Sequence, residues 1–213
     1  MFKSPFLIFL GTAFLLRIFS FFPSVINHDE STYIVIADAL LRGETYWVDV
    51  VDIKPLGIFL IYAALLKIGG GSIFLLRLFT AVWVAGTGYF LYRAAKTWQA
   101  DENAARASGV MYIFMCSLFT FYGVSPNTEL YYTLFNTLAL WLILAFPQRI
   151  WGALGAGLCL GAGFMIKYTV AFDALAMGLM LIWLFWQANA SFFRLFLQGI
   201  LMIAAFLVVP LLV

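Results

Sequence analysis

Asn27-His28-Asp29-Glu30-Ser31-Thr32-Tyr33 opens a stretch that closes on Asp49-Val50-Val51-Asp52-Ile53-Lys54-Pro55-Leu56, with Gly43-Glu44-Thr45-Tyr46 between them. Six of the ten acidic residues of the chain fall inside it: Asp29, Glu30, Asp38, Glu44, Asp49 and Asp52. The rest of the chain is nearly all hydrocarbon. Of its 213 residues 65% are hydrophobic, 19% aromatic and 10% charged, with a mean hydropathy of +1.02. Ordinary soluble domains carry about 25% charged residues. The contrast sets the fold class: an all-α, polytopic integral membrane protein, a helical bundle with one long charged outer loop.

The net charge of +2 is too small to point to a nucleic-acid partner. Cys116 and Cys159 sit inside apolar runs without metal-type spacing, so they read as packing residues rather than a disulfide. Lys3 precedes an apolar run over residues 5–22. Ser20-Phe21-Phe22-Pro23 lacks the small residues that a signal peptidase needs, so this run reads as an uncleaved anchor helix.

Apolar runs predict about seven spans, over residues 5–22, 72–92, 107–122, 130–146, 151–166, 170–186 and 194–213. A further run over 56–66 is only about half the length needed to cross the hydrocarbon core, and Lys67 and Gly69-Gly70-Gly71 end it. It reads as a re-entrant or interface-lying helix. Arg93, Lys96 and Arg106 place the 93–106 segment in the cytoplasm, and Lys3 places the N-terminus there. An even number of crossings must separate the two. Runs 5–22 and 72–92 supply two, so the loop over 23–71 lies outside, as does the 123–129 loop. Arg149 and Arg194 then fall inside, and Lys167 is the exception, outside. One outer surface therefore collects Asp29, Glu30, Asp52, Lys54, Glu129 and Lys167, with Asp173 a turn below.

Within the loop, residues 31–42 predict a short interfacial helix. Tyr33, Ile36, Ala37 and Leu40 line one face, and Asp38 and Arg42 pair at i,i+4 on another. Pro55 fits the first position of the following helix. Gly157 and Gly161, with Ala153 before them, form a small-residue seam for close helix packing. They do not fit a dinucleotide fingerprint, and no strand precedes them.

Asp29-Glu30 followed by Tyr33, then Gly43 and Tyr46, then Asp52-x-Lys54-Pro55, resembles the first outer loop of polyprenyl-phosphate-sugar-dependent glycosyltransferases. These are the GT-C membrane enzymes of glycosyltransferase family 39, the protein O-mannosyltransferases and the lipid A aminoarabinose transferase among them. Pro126-Asn127-Thr128-Glu129 and the Gly157, Gly161, Lys167 spacing are similar to that family's second acidic site and lysine-ended glycine helix. Two features depart from the family. Pro55 is followed by Leu56, where the family usually has a second proline, and members carry more spans and often a further outer domain. The whole of 1–213 thus reads as a single membrane domain, the N-terminal part of a longer enzyme.

The resemblance implies a multi-pass protein of the plasma (bacterial inner) membrane with an extracytoplasmic active face. It implies a polyprenyl-phosphate sugar as donor, and a lipid, glycan or protein hydroxyl as acceptor. The acceptor needs a base and the leaving phosphate needs positive charge, while a carboxylate stabilises an oxocarbenium-like transition state. Asp29, Glu30 and Glu129 are then the catalytic candidates, with Asp29 as base. Lys54, just ahead of a helix start, and Lys167 are the phosphate-binding candidates. Asp52, Asn127 and Tyr33 support them. Glu129 fits three roles: supporting Asp29, positioning the acceptor, or helping to hold a divalent cation. No other cofactor is implied.

Plainer roles stay open for each residue. Asp29 or Ser31 fits the N-cap of the 31–42 helix, and Asn127 or Glu129 the cap of the 130–146 span. Lys54 and Lys167 fit snorkelling toward headgroups, and Asp173 fits a buried partner of Lys167. His28 reads as a polar loop residue without the partners of a metal site. Two other functions stay open as well. One is a transporter or flippase for a lipid-linked or acidic solute, for which Asp173 would be the hint. The other is a non-catalytic scaffold whose loop binds a partner.

Overall fold

A computed structural model of the chain describes residues 4–22, 25–121 and 123–212. Lys3, Pro23, Tyr122 and Val213, used above as a topology charge, a cleavage-site residue and two span ends, lie outside the described residues. Among the described residues the regular structure is helical, with one isolated bridge between Tyr46 and Val50. Helix α1 (Pro5–Arg17) runs into a 3-10 turn (Ile18–Phe21), and α2 (His28–Leu41) and α3 (Leu56–Ile68) form the loop. The bundle continues through α4 (Ile73–Thr97), α5 (Glu102–Met115), α6 (Thr128–Ala145), α7 (Ile150–Phe164), α8 (Val170–Gln187) and α9 (Phe192–Leu211).

A helix thus stands at each expected apolar run. Three of them, α4, α8 and α9, are long and apolar enough to cross a membrane. Helix α4 outruns its apolar stretch to Thr97, because Arg93 and Lys96 end the hydropathy without ending the helix. Helix α5 starts earlier than its apolar run, since Asp101 caps it by accepting from the N–H groups of Asn103 (2.8 Å) and Ala104 (3.0 Å). It stops at Met115, short of the expected end. The 13 residues of α3 rise about 20 Å, against about 30 Å of hydrocarbon.

Helices α2 and α3 close on each other as an aromatic hairpin. Tyr33, Ile36 and Ala37, the face expected from their spacing, are buried against Ile58, Phe59, Tyr62, Ala63 and Leu66, with Leu40 partly buried beside them. On the opposite face Asp38 pairs with Arg42. The Tyr62 hydroxyl donates to the Pro126 carbonyl at 2.7 Å and ties the hairpin to the segment ahead of α6. Helix α1 packs on α4 and α5 around Phe9, Ala13, Val84, Ala85 and Ile113. The expected glycine seam holds α9: a Cβ at Gly157 would stand 2.3 Å from the Met202 carbonyl oxygen, and one at Gly161 2.4 Å from that of Phe206. Cys116 and Cys159 are free thiols.

Two corrections concern the helix starts. Pro55 is the residue ahead of α3 rather than its first, with an extended ψ of 158°. Asn27, not Asp29 or Ser31, caps α2, its side chain accepting from the Glu30 N–H at 2.9 Å. That places Asp29 and Glu30 in the first turn, where the helix dipole favours anions.

Candidate active site

Asp29 and Glu30 are neighbours on α2 and meet different surroundings. Glu30 is fully buried. Its Oε1 accepts from Arg77 Nε (3.0 Å) and Nη2 (2.8 Å), and its Oε2 accepts from the Ile26 N–H (2.8 Å). Arg77, on α4, also donates to the Ser20 carbonyl at 2.6 Å. The pair therefore pins the start of α2 to α1 and α4. Asp29, a helical step away, is left half-exposed, and Lys54 Nζ lies 3.2 Å from its Oδ1.

Lys54 is aimed by its own turn. Asp52 Oδ1 accepts from the Lys54 N–H at 2.9 Å and lies 3.8 Å from its ammonium. The Tyr46 hydroxyl is shared between the Asp52 carbonyl (3.0 Å) and the Lys54 carbonyl (2.6 Å). Burial pushes the Tyr46 phenol up to about 12, so it stays a donor. The ammonium also sits 5.1 Å from the centre of the Tyr33 ring. Tyr33 is packed edge-on against Phe59 and Tyr62. Its hydroxyl lies beside Thr128 without completing a hydrogen bond. Burial, and then the charge of Asp29, push that phenol well above its usual range.

A second pair forms beside the first. Lys167, in the turn after α7, donates to Glu129 in the first turn of α6, ahead of the 130–146 apolar run. The Thr128 hydroxyl donates to the other Glu129 oxygen at 3.1 Å. Burial pushes the Glu129 carboxyl up, but the hydrogen bond and charge of Lys167 outweigh it and hold the group below its usual range. The expected Lys167–Asp173 contact is not made. Asp173 accepts instead from Asn136 Nδ2 at 2.8 Å. Asn127 stands at the N-cap of α6 but makes no side-chain cap, and its Oδ1 accepts from Asn27 Nδ2 at 3.3 Å. The two capping residues thereby join the starts of α2 and α6. His28 is the first residue of α2 rather than a loop residue.

One backbone contact ties together the two segments that carry the lysines. The Gly57 N–H donates to the Met165 carbonyl at 2.7 Å, and a Cβ at Gly57 would stand 2.4 Å from that oxygen. The start of α3 is thus seated on the turn that carries Lys167. Asp29 and Glu129 line a cleft of about 670 Å³ together with Asn27, His28, Asn127, Met115 and Cys116. A groove of about 500 Å³ has walls that include Pro55 and Tyr168, the chain neighbours of the two lysines, with Leu60, Phe164 and Pro210.

The structure therefore gathers Asp29, Asp52, Lys54, Tyr33, Asn127, Glu129 and Lys167, and leaves Glu30 turned into the bundle. Asp29, Asp52 and Glu129 each already face a lysine ammonium. Among the described residues no three His, Cys, Asp or Glu side chains are grouped to hold a metal ion.

Two residues that shape the site were not singled out from the sequence: Arg77 and Arg17. Arg17, fully buried, donates to the carbonyls of Cys116 (2.6 Å), Gly123 (2.7 Å) and Val124 (2.8 Å), and so shapes the wall of the cleft. The signal was available, since an arginine inside a membrane span is rare and marks a specific partner.

Residues 53–213 match the model of a family described as dolichyl-phosphate-mannose-protein mannosyltransferase. That match takes in Lys54, Glu129 and Lys167 and begins after Asp29 and Asp52. Searches of curated proteins and of solved structures return no match.

Proposed function

The chain belongs to the dolichyl-phosphate-mannose-protein mannosyltransferase family, a membrane glycosyltransferase of the GT-C type, and from that premise we propose that it moves a sugar from a polyprenyl phosphate to an acceptor hydroxyl. The observation that carries this reading is the pair of lysine–carboxylate contacts, whose carboxylates line a cleft and whose lysines have chain neighbours that line an apolar groove. A lipid-borne phosphate needs both. Its tail belongs in the groove beside Pro55 and Tyr168, and its charge belongs with Lys54 and Lys167. The acceptor then approaches from the cleft, where Asn27 and Asn127 offer amide groups beside Asp29.

The reaction runs as a single displacement. The acceptor oxygen bonds to the anomeric carbon as its proton passes to the Asp29 carboxylate. The bond from that carbon to the phosphate oxygen breaks, and the electron pair leaves with the polyprenyl phosphate, whose added charge Lys54 and Lys167 neutralise. An arriving phosphate competes with Asp29 for Lys54. As the ammonium turns toward the phosphate, the Asp29 carboxylate is freed to accept from the acceptor hydroxyl. Glu129 stands in the same relation to Lys167 and lines the cleft with Asp29, a position suited to holding the acceptor. Glu30, bonded to Arg77, is read as a residue that positions Asp29 rather than one that meets substrate.

The far end of the bundle supports an extracytoplasmic site. Arg93 stacks on Trp141 at 4.6 Å, and Lys96 and Arg106 meet Glu102 at 3.4 and 2.7 Å. These are the basic residues that the positive-inside rule keeps in the cytoplasm. The test is transfer by the purified chain in proteoliposomes from a labelled polyprenyl-phosphate sugar. Label moving to an acceptor from the lipid donor supports the proposal. Label moving only from a nucleotide sugar overturns it.

A further inference from the structure

Residues 47–53 join the Tyr46 anchor to the Asp52–Lys54 turn, and they carry four largely exposed apolar side chains, of which Trp47 leans on the Tyr46 ring. Trp47 is 59% exposed, Val48 79%, Val51 68% and Ile53 85%. A soluble loop of this length would keep such groups apart or covered; here they cluster in a single knuckle. The knuckle is built rather than slack. The Trp47 N–H donates to the Val50 carbonyl at 2.8 Å, and Asp49 Oδ2 accepts from the Thr45 N–H at 2.8 Å. Trp47 itself has a φ of +72°, a left-handed backbone that a bulky residue rarely adopts. Strain of this kind persists where the surrounding structure enforces it.

The setting of the knuckle follows from its neighbour. Trp47 lines the same groove as Pro210, next to last in α9. The 20 residues of α9 rise about 30 Å, the thickness of the hydrocarbon core. Helix α9 is long and apolar enough to span a membrane, so Trp47 stands beside a spanning helix, where an aromatic belt belongs. Tryptophan is the residue enriched there. Asp49, Asp52 and Lys54 lie between and after the apolar tips, as suits a loop that enters a membrane from the water side.

We propose that residues 47–53 are seated in the lipid leaflet beside the site, with Val48, Val51 and Ile53 among the acyl chains and Trp47 at the headgroup boundary. This seat does not depend on which donor the enzyme uses. It would fix the height of Asp52 and Lys54 against the membrane, at the C-terminal end of the same knuckle.

The experiment places an environment-sensitive fluorophore at Val48→Cys or Ile53→Cys, in a Cys116→Ala, Cys159→Ala background. The full chain is reconstituted in phosphatidylethanolamine–phosphatidylglycerol vesicles. Asp38→Cys, on the charged face of α2, is the water-side reference. If the cysteine-free background does not fold, the wild-type cysteine pair is labelled alone and its signal subtracted. The expected result is a blue-shifted emission at both positions, quenched by acyl-brominated lipid and shielded from aqueous iodide, with the reverse at position 38. Quenching by iodide but not by bromolipid would overturn the proposal. Shielding from both quenchers would also overturn it, because it would mean that protein, not lipid, covers the knuckle.

Discussion

The Lys54 ammonium stands 3.2 Å from the Asp29 carboxylate although 25 positions separate them. The contact joins the start of α2 to the turn before α3, and it defines what the rest of the fold has to hold still. Asp29→Asn keeps the shape and the acceptor oxygen but cannot take a proton. The expected loss is about 10²–10⁴-fold in the rate of sugar transfer. Asp29 is half-exposed, so the variant should match wild type in membrane insertion and gel filtration. Wild-type turnover would remove Asp29 from the mechanism.

Lys167→Gln tests the second pair through its pH dependence. In the wild type, Lys167 holds the Glu129 carboxyl below its usual range against the opposing effect of burial. A lowered carboxyl stays ionised as the pH falls, and loses its charge only when the pH passes its folded value. Without the lysine the backbone and Thr128 hydrogen bonds remain but the largest opposition to burial is gone, so protonation should begin at higher pH. The acid limb of the rate profile should therefore move upward in Lys167→Gln. Glu129→Gln should abolish the limb if Glu129 is its source.

Tyr33→Phe separates the ring from the hydroxyl. The ring lies under the Lys54 ammonium and on Phe59 and Tyr62, whereas the buried hydroxyl completes no hydrogen bond among the described residues. Removing an unpaired buried polar group leaves stability unchanged or raises it by up to about 1–3 kcal/mol. The melting temperature in detergent should hold or rise, with kcat near wild type. A fall in kcat at unchanged KM would instead give the hydroxyl a part in the reaction.

Glu30→Gln and Arg77→Met each break a fully buried ion pair. Removing one partner of such a pair costs about 3–5 kcal/mol, because the other charge is left uncompensated. Both single variants should melt well below wild type. A double Glu30→Gln, Arg77→Met variant should lose less than the two singles summed, since no lone charge remains. Strict additivity would show that the two residues act independently.

Those two residues also show where the sequence could be read and where it could not. The helices were legible because apolar runs and turn residues mark them, so α3 and the face of α2 that meets it fell where expected. The two acids side by side looked equivalent. Glu30 turns inward because a helix rotates about 100° per residue, and only the partner decides which of two adjacent carboxylates is buried. That partner, Arg77, lies on another helix. The N-cap failed for a related reason: Asn27, Asp29 and Ser31 all cap well, and the choice depends on where the chain enters the helix. Lys167 and Asp173 looked like partners because both lie at one end of the bundle, yet Glu129 and Asn136 on α6 take them separately.

The seating of α3 on the turn after α7 gives the sharpest prediction. At Gly57 the two backbones touch, its N–H bonded to the Met165 carbonyl at 2.7 Å. A methyl group there would sit 2.4 Å from the same oxygen, well inside contact distance. The clash is with backbone, so no side-chain rotation relieves it. Gly57→Ala must push α3 away from the turn, at a cost of about 1–3 kcal/mol for overpacking. Lys54 lies three residues before Gly57 and Lys167 two after Met165, so the displacement separates the two lysines. The expected outcome is a raised KM for the lipid donor with a smaller loss of kcat, since Asp29 is held by α2 and not by this contact. Gly11, whose added Cβ would meet nothing within 4 Å, is the control: Gly11→Ala should leave both constants unchanged. If Gly57→Ala binds donor as wild type does, the two lysines do not share a phosphate.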